Sequence, residues 1–519
     1  MTSEQSQSPK SPLLRVSGIG RGIAWRYSCQ AVSAAGGLFL AGFAFRKLGA
    51  STYGAYALVV TVLGLLGTVD FGLSMSVVRA TARDNPSFSV QTSAEARRDV
   101  EVAHSAYGVI GAIALLISVA SIPVLVAVKS RNVGGTYALP LTVGLIGLSV
   151  GLSLATSAYS GLPTGRQQFH VPAIAGILGV FANVAVVVPT LGMLGLPSLG
   201  LGQLANALVN AIFPAIWLKM REPWFRLLPG RARWTEVRRV GSFAIPLLVI
   251  SVYGQVIAAT DLVVVGAVAT AAAVAFYRIG NLAPSRAVSW LFNGYDTVFP
   301  SLAGTQDERG QEAATLFLTR VAGYVAGSSF CAMALLRADV VTVIVGHQSV
   351  LAEEVLLVFC GIWLVNIPVH GLMLLLIARG RQAVFIPLVA AEAVANLVLT
   401  VVLAVIFGPI GAALATLVTI VVTNVIVLPI LVRKEFASTS SWRIAGDGLA
   451  CGGSVARSPL LPQCQSSFSG LARSGSPSAL RWLERRAFSS GSSCSGTMVA
   501  RHFWRCSSAV IRLSNPKVG

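Results

Sequence analysis

Apolar runs of about 20 residues, the length that carries an α-helix across a hydrocarbon layer of roughly 30 Å, recur along most of this chain. Short stretches between them hold nearly all of the charge. A chain patterned this way folds with the bilayer as its solvent, where every backbone N–H and C=O must find a partner inside the protein. That leaves helix bundles and closed β-barrels. Barrel strands alternate apolar and polar residues over about 10 positions, whereas Ala112 to Val128 and Val401 to Phe407 are apolar on nearly every side. The pattern predicts an all-α integral membrane protein. A composition of 54% hydrophobic and 11% charged residues over 519 positions agrees, being far from an ordinary globular balance.

Hydropathy and helix breakers together predict about twelve transmembrane helices. They fall near residues 24–45, 55–77, 105–128, 139–161, 172–193 and 198–219, then 242–266, 282–303, 314–336, 354–378, 383–407 and 410–432. Lys and Arg favour cytoplasmic loops. They crowd the N-terminal segment (Lys10, Arg15, Arg21, Arg26), the loop after the second helix (Arg79, Arg83, Arg97, Arg98) and the connection after the sixth, from Lys219 to Arg239. The alternation predicts a multi-pass membrane protein with both ends of the bundle on the cytoplasmic side.

The basic connection also marks a half boundary. Gly165-Arg166-Gln167 with Pro172 follows the fourth helix, and Gly380-Arg381-Gln382 with Pro387 follows the tenth at the same internal spacing. Each is followed by an Ala-Asn pair (Ala182-Asn183, Ala395-Asn396) and a glycine turn (Gly195, Gly408). Copies six helices apart share one orientation, so the fold expected is two parallel-repeat six-helix bundles around a central cavity. The expected domains are a cytoplasmic N-terminal segment (1–23), a first bundle (24–219), a basic linker (220–241), a second bundle (242–432) and a basic Ser/Arg-rich tail (433–519). Two readings of the tail compete. It is a disordered cytoplasmic segment drawn to anionic lipids, or a frame-shifted replacement of the natural C-terminus, which its Cys and Trp content favours.

A formal net charge of +19 raises the question of nucleic acid. Ten of the basic residues follow residue 436, against only Asp447 and Glu484, and most of the others sit between apolar runs as topology signals do. No nucleic-acid partner is expected. Seven scattered cysteines without a C-x-x-C pair, and five dispersed histidines, predict neither disulfide framework nor metal nor cofactor. No phosphate-cradling G-x-x-x-x-G-K-[ST] loop and no acid cluster is present, so an enzyme is not expected. The opening apolar run belongs to a membrane pair, which argues against a cleaved signal peptide.

Charges inside apolar runs are the better lead, because each costs roughly 2.5–3.5 kcal/mol at a helix centre and is kept near a cavity or partner. The candidates are Asp70, Asp261, Arg278, Arg286, Asp296 and Glu392. Arg26, at the start of the first helix, joins them as a cavity residue or a topology anchor. Arginine suits a phosphate-bearing cargo, since its guanidinium offers paired donors and stays charged in a low dielectric. Arg26, Arg278 and Arg286 are therefore candidate substrate-binding residues, and Asp261, Asp70 and Glu392 ion-coupling or structural ones. For all of them, snorkelling to headgroups or a structural ion pair is the competing account. Arg278 and Arg286 would share a helix face only if one helix runs through Pro284, which the proline opposes.

Arg46-Lys47-Leu48-Gly49-Ala50, Tyr53-Gly54-Ala55-Tyr56, Asp70-Phe71-Gly72-Leu73 and Arg79 together resemble the opening of the polysaccharide-biosynthesis, O-antigen-type flippases of the multidrug/oligosaccharidyl-lipid/polysaccharide exporter superfamily. Asp261 with Gly266 and Tyr277, Phe299-Pro300-Ser301-Leu302, and Gly408-Pro409-Ile410-Gly411-Ala412-Ala413 extend the similarity to about residue 432; the tail departs from it. The resemblance implies an alternating-access carrier of the bacterial cytoplasmic (inner) membrane that moves an undecaprenyl-pyrophosphate-linked oligosaccharide outward for surface polysaccharide such as lipopolysaccharide O-antigen. Its partners would be membrane lipids, the lipid-linked oligosaccharide and a polysaccharide polymerase complex. A cation-coupled multidrug exporter of the same superfamily and a non-transporting scaffold of a polysaccharide synthase complex stand as alternatives.

Overall fold

The computed structural model describes residues 13–67, 94–123, 138–166, 168–227, 259–304, 308–379, 384–435 and 446–450, with isolated positions between them. Among these residues the elements are helices joined by short turns, without strands. In order come α1 (Leu13–Gly67), α2 (Ala94–Ala120), α3 (Ala138–Ala155), α4 (Ser157–Gly165), α5 (His170–Leu194) and α6 (Leu196–Arg221). There follow α7 (Ala259–Val268), α8 (Ala271–Gly304), α9 (Glu308–Leu335), α10 (Arg337–Val345), α11 (Val350–Ala378) and α12 (Ile386–Ile420), which continues through the π-helix Val421–Val427 to Val432.

Eight described helices are long and apolar enough to cross a membrane. Two of those are double spans. In α1 the break is Gly49 (φ 78°, ψ 165°), and in α12 it is Gly408 (φ 64°, ψ −149°). Gly195, between α5 and α6, adopts nearly the same state (φ 63°, ψ −130°). Positive φ with ψ in this range is open to glycine almost alone. Gly195 and Gly408 each follow their repeat asparagine, Asn183 and Asn396, by twelve residues, so the short sequence match corresponds to the same turn made twice. Both asparagines face the next helix. Asn183 lies against Gly202, and Asn396 donates to Thr416 at 2.9 Å.

Several boundaries differ from expectation. α1 begins at Leu13, so helix occupies much of the segment read as an N-terminal extension. α8 starts at Ala271 rather than near residue 282, because the weakly apolar Ala271–Ala275 is strongly helix-forming. It passes through Pro284 unbroken. A proline is tolerated in a membrane helix when neighbours compensate for the lost N–H, and Arg278 and Arg286 consequently stand on one helix. Where it is described, the 219–240 connection is docked. Arg166 Nη2 donates to Glu222 at 2.9 Å, Trp224 Nε1 to Glu222 at 2.7 Å, and Tyr159 Oη to the Leu227 carbonyl at 2.6 Å. Arg98 grips Glu236 with two nitrogens at 2.8 and 2.9 Å, which together with the Arg233 backbone N–H holds the Glu236 carboxyl down to about 2. Within the stretch read as a tail, Arg433–Glu435 form a 3-10 turn that ends α12 and residues 446–450 are helical; the rest of it lies outside the described residues.

α1 is the central element. It packs on α3 and α5 on one side and on α8 and α10 on the other. Close approach is permitted by small residues, as in membrane bundles generally. A Cβ at Gly54 would collide with the Ala271 carbonyl, and one at Gly42 would come within 2.7 Å of the Ile344 oxygen. Arg46 donates to the Ile344 carbonyl at 3.2 Å and to that of Val343. One apolar core runs through this contact, from Val143, Leu191 and Leu199 through Phe45 and Leu63 to Ile279, Phe330 and Leu356.

Candidate functional site

Two constellations combine charge with burial. In the first, Arg278 and Arg286 rise from α8 toward α1, both half-buried. Eight residues on a helix amount to about two turns and a similar face. Both guanidiniums lie close enough to Tyr53 to act on it electrostatically, and Arg278 also acts on Tyr56. Tyr56 accepts a hydrogen bond from Gln203 of α6 at 3.2 Å. Space for Arg286 is left by Gly37, where a Cβ would sit 2.9 Å from Nη2. The side-chain Oδ1 of Asn281, one turn from Arg278, is buried without a protein partner. Neither arginine has a carboxylate partner among the described residues. Two like charges side by side in a membrane bundle without an acid are costly unless an anion or water joins them.

The second constellation is a buried carboxylate. Asp261 on α7 is 3% exposed and receives Tyr277 Oη at 2.9 Å on Oδ2. Thr416 lies 2.9 Å from Oδ1 and 2.8 Å from Oδ2, and Thr400 3.3 Å from Oδ1. Thr416 accepts from Asn396, whose own Oδ1 is buried without a partner. α7, α8 and both parts of α12 thus converge on one acid, satisfied by hydroxyls and not by a base. Glu392, 5% exposed, interacts with Thr423 of the π-helix. On α12 the series Glu392, Asn396, Thr400 follows an i, i+4, i+8 spacing on one face, and across the Gly408 turn Asn396 meets Thr416 and Glu392 meets Thr423. π-Helical turns such as Val421–Val427 often mark functional positions.

The remaining candidates divide differently. Arg26 is exposed and stacks over the Phe169 ring at 5.2 Å, apart from the Arg278–Arg286 pair. Asp70 and the side chain of Asp296 lie outside the described residues. No group of three or more acids, histidines or cysteines at metal-binding distance occurs among the described residues. Sequence reasoning gave no role to Tyr53, Tyr56, Gln203, Thr400 or Thr416. The four-residue spacing of Glu392, Asn396 and Thr400 inside an otherwise apolar run was the available signal for the last group.

The sequence pattern of the family described as polysaccharide biosynthesis protein matches residues 45–354. No curated protein sequence is significantly similar to the chain. Among solved structures, an inward-facing multidrug resistance MATE family transporter of the MOP superfamily aligns over 84% of this chain and 96% of its own, with 14% identity and a TM-score of 0.59. The lipid II flippase MurJ, in an inward closed conformation, aligns over 86% and 97% at 11% identity and a TM-score of 0.56. A MOP superfamily transporter from Pyrococcus furiosus aligns over 85% and 95% at 15% identity and a TM-score of 0.58. These likenesses establish the helical membrane fold of that superfamily, and the family match over residues 45–354 makes this chain a member of the polysaccharide biosynthesis protein family.

Proposed function

We propose that the protein is a carrier that moves an undecaprenyl-pyrophosphate-linked oligosaccharide across the bacterial cytoplasmic membrane by alternating access, for surface polysaccharide synthesis. The observation that carries the reading is the Arg278–Arg286 pair, two half-buried guanidiniums on one face of α8 that have no carboxylate among the described residues. A pyrophosphate supplies the missing negative charge and accepts several paired N–H bonds at once. The pair stands where α8 meets α1, the helix that bridges the two halves, so a headgroup held there would be handed over as the halves rock. Tyr53, Tyr56 and Gln203 surround that place with polar tips suited to a sugar phosphate. The polyprenyl chain would remain in lipid, which spares it any passage through the protein.

In this reading Asp261 is the ion-coupling residue, with Glu392 as a second acid on the same polar face of α12. Their surroundings are hydroxyls and amides, ligands that suit a hard cation or a proton. Asp261 also keeps open a cation-coupled multidrug exporter, whose cationic cargo would need the arginines least.

Complementation of flippase-deficient bacteria, scoring surface polysaccharide and retained lipid-linked precursor, tests the proposal. Arg278→Gln and Arg286→Gln should each lower export about tenfold, the loss of a charge-assisted hydrogen-bond pair, with Lys at either position intermediate. Undiminished export in both Gln variants would sink the pyrophosphate reading and favour a scaffold. Drug efflux by a chain that fails to rescue any glycan strain would favour the multidrug exporter.

A further inference from the structure

The segment Gly446–Ala450 follows α12 and lies against α9 and α11, where it meets a notch made of small residues. A Cβ at Gly323 of α9 would collide with the Gly448 carbonyl. A Cβ at Gly448 would come within 2.7 Å of both the Thr319 methyl and the Pro368 ring. Such backbone-to-backbone approach across glycines is how membrane helices gain contact without a hydrophobic driving force. Beside the notch, Arg320 donates to Asp447 Oδ2 from Nε at 3.1 Å and from Nη2 at 2.5 Å.

The level of this contact along the bundle matters. Arg320 is about 18 Å up α9 from Glu308, and Pro368 about 15 Å up α11 from Ala378, at the 1.5 Å rise per residue of a helix. The two helix ends are joined by Arg379, which meets Gln311 at 3.0 Å and Glu312 at 3.3 Å. A hydrocarbon layer is about 30 Å thick, so the Asp447–Arg320 pair belongs within the span and not on a water-facing loop. An arginine at that depth requires a counter-charge. Among the described residues its acid partner is Asp447.

We propose that Gly446–Ala450 is an intramembrane strap: a second, independent use of the chain beyond α12, in which Gly448 fills the α9–α11 notch and Asp447 neutralises Arg320. The stretch beyond residue 436 then contributes to the folded carrier. The strap also meets α11 beside Ile367, whose carbonyl accepts Tyr295 Oη of α8 at 2.9 Å, so α8, α9, α11 and the strap converge around Pro368.

Two measurements on the full-length chain, the first in native membranes and the second in detergent, test this without reference to transport. Arg320→Cys with Asp447→Cys, the other cysteines replaced by serine, should be joined by a short bifunctional thiol reagent and recovered as a cross-linked peptide by mass spectrometry. Val325→Cys with Asp447→Cys, which uses an exposed position of α9, should not. Equal yields from the two pairs, or none from the first, would overturn docking. In the second measurement, Arg320→Asp and Asp447→Arg should each cut monodisperse protein in detergent about fivefold, and the double exchange should restore it. Wild-type amounts in either single variant, or no recovery in the exchange, would overturn the ion pair.

Discussion

Thr416 is the residue on which the buried acid depends most, since it spans both carboxylate oxygens and accepts the Asn396 amide. Thr416→Val removes the hydroxyl while keeping the volume, leaving Asp261 and Asn396 each short of a partner at a cost of about 1–3 kcal/mol. Detergent-purified protein should lose monodispersity at a lower temperature in this variant, and Thr416→Ser should behave as wild type. Glu236 makes a contrasting prediction. Its folded value of about 2 lies below its ordinary 4.5, so the contribution of the Arg98 pair is fully present above the ordinary value and disappears as pH falls through about 2. Hydrogen exchange of residues 222–236, referenced to the unfolded chain at each pH, should stay constant from pH 8 to pH 5 by roughly that argument, and Glu236→Gln should accelerate it throughout. These residues also show how far single positions could be read. Asp261 and Arg278 stood out as charges in apolar surroundings. Thr400 and Thr416 did not, because a threonine in a membrane helix ordinarily satisfies itself on its own backbone, as Thr419 and Thr423 do.

At the level of elements, glycine decides where one span ends and the next begins. Gly195→Ala and Gly408→Ala force a Cβ into a backbone state that side chains rarely adopt, and each should cost about 1–3 kcal/mol, seen as a lower melting temperature. The matching dihedral angles predict similar losses at the two sites, and an innocuous substitution at one of them would break the equivalence of the repeats. Pro284→Ala should be tolerated, since α8 already passes through that position. Spans four to six and nine to twelve were legible because each apolar run is bounded by a charge, a proline or a glycine. The start of α8 was not. Small residues at Ala271–Ala275 look weakly apolar alone, but alanine is a strong helix former, and their small side chains let α1 pack closely upon them at Gly54.

For the whole molecule the decisive contact is α1 with α8 and α10, which seats the two halves against each other at the end bearing Gly49 and Gly346. Gly42→Leu would push the side chain into the Ile344 carbonyl and pry that end apart. A cysteine at Val345, 2% exposed, should then react faster with a membrane-impermeant thiol reagent than in the Gly42 background, while a cysteine at Met193, 87% exposed, should be unaffected. Such a variant should keep its spans, because insertion of each helix depends on its own hydropathy and not on this interface.

Hydropathy alone determined that the chain is an all-α membrane protein, and roughly where its spans lie, because the bilayer acts on each segment locally and demands an unbroken run of about 20 apolar residues. The short repeat and the glycine turns were likewise present in the one-dimensional string. Which side chains meet was settled only by tertiary packing. Asp261 finds two of its three hydroxyls 139 and 155 residues away, and Arg320 its carboxylate 127 residues away, across helices whose rotation about their own axes the apolar runs leave unspecified. A span that is apolar all round carries little information about which face looks inward. That choice is made by the glycine notches and polar contacts through which the helices finally lock.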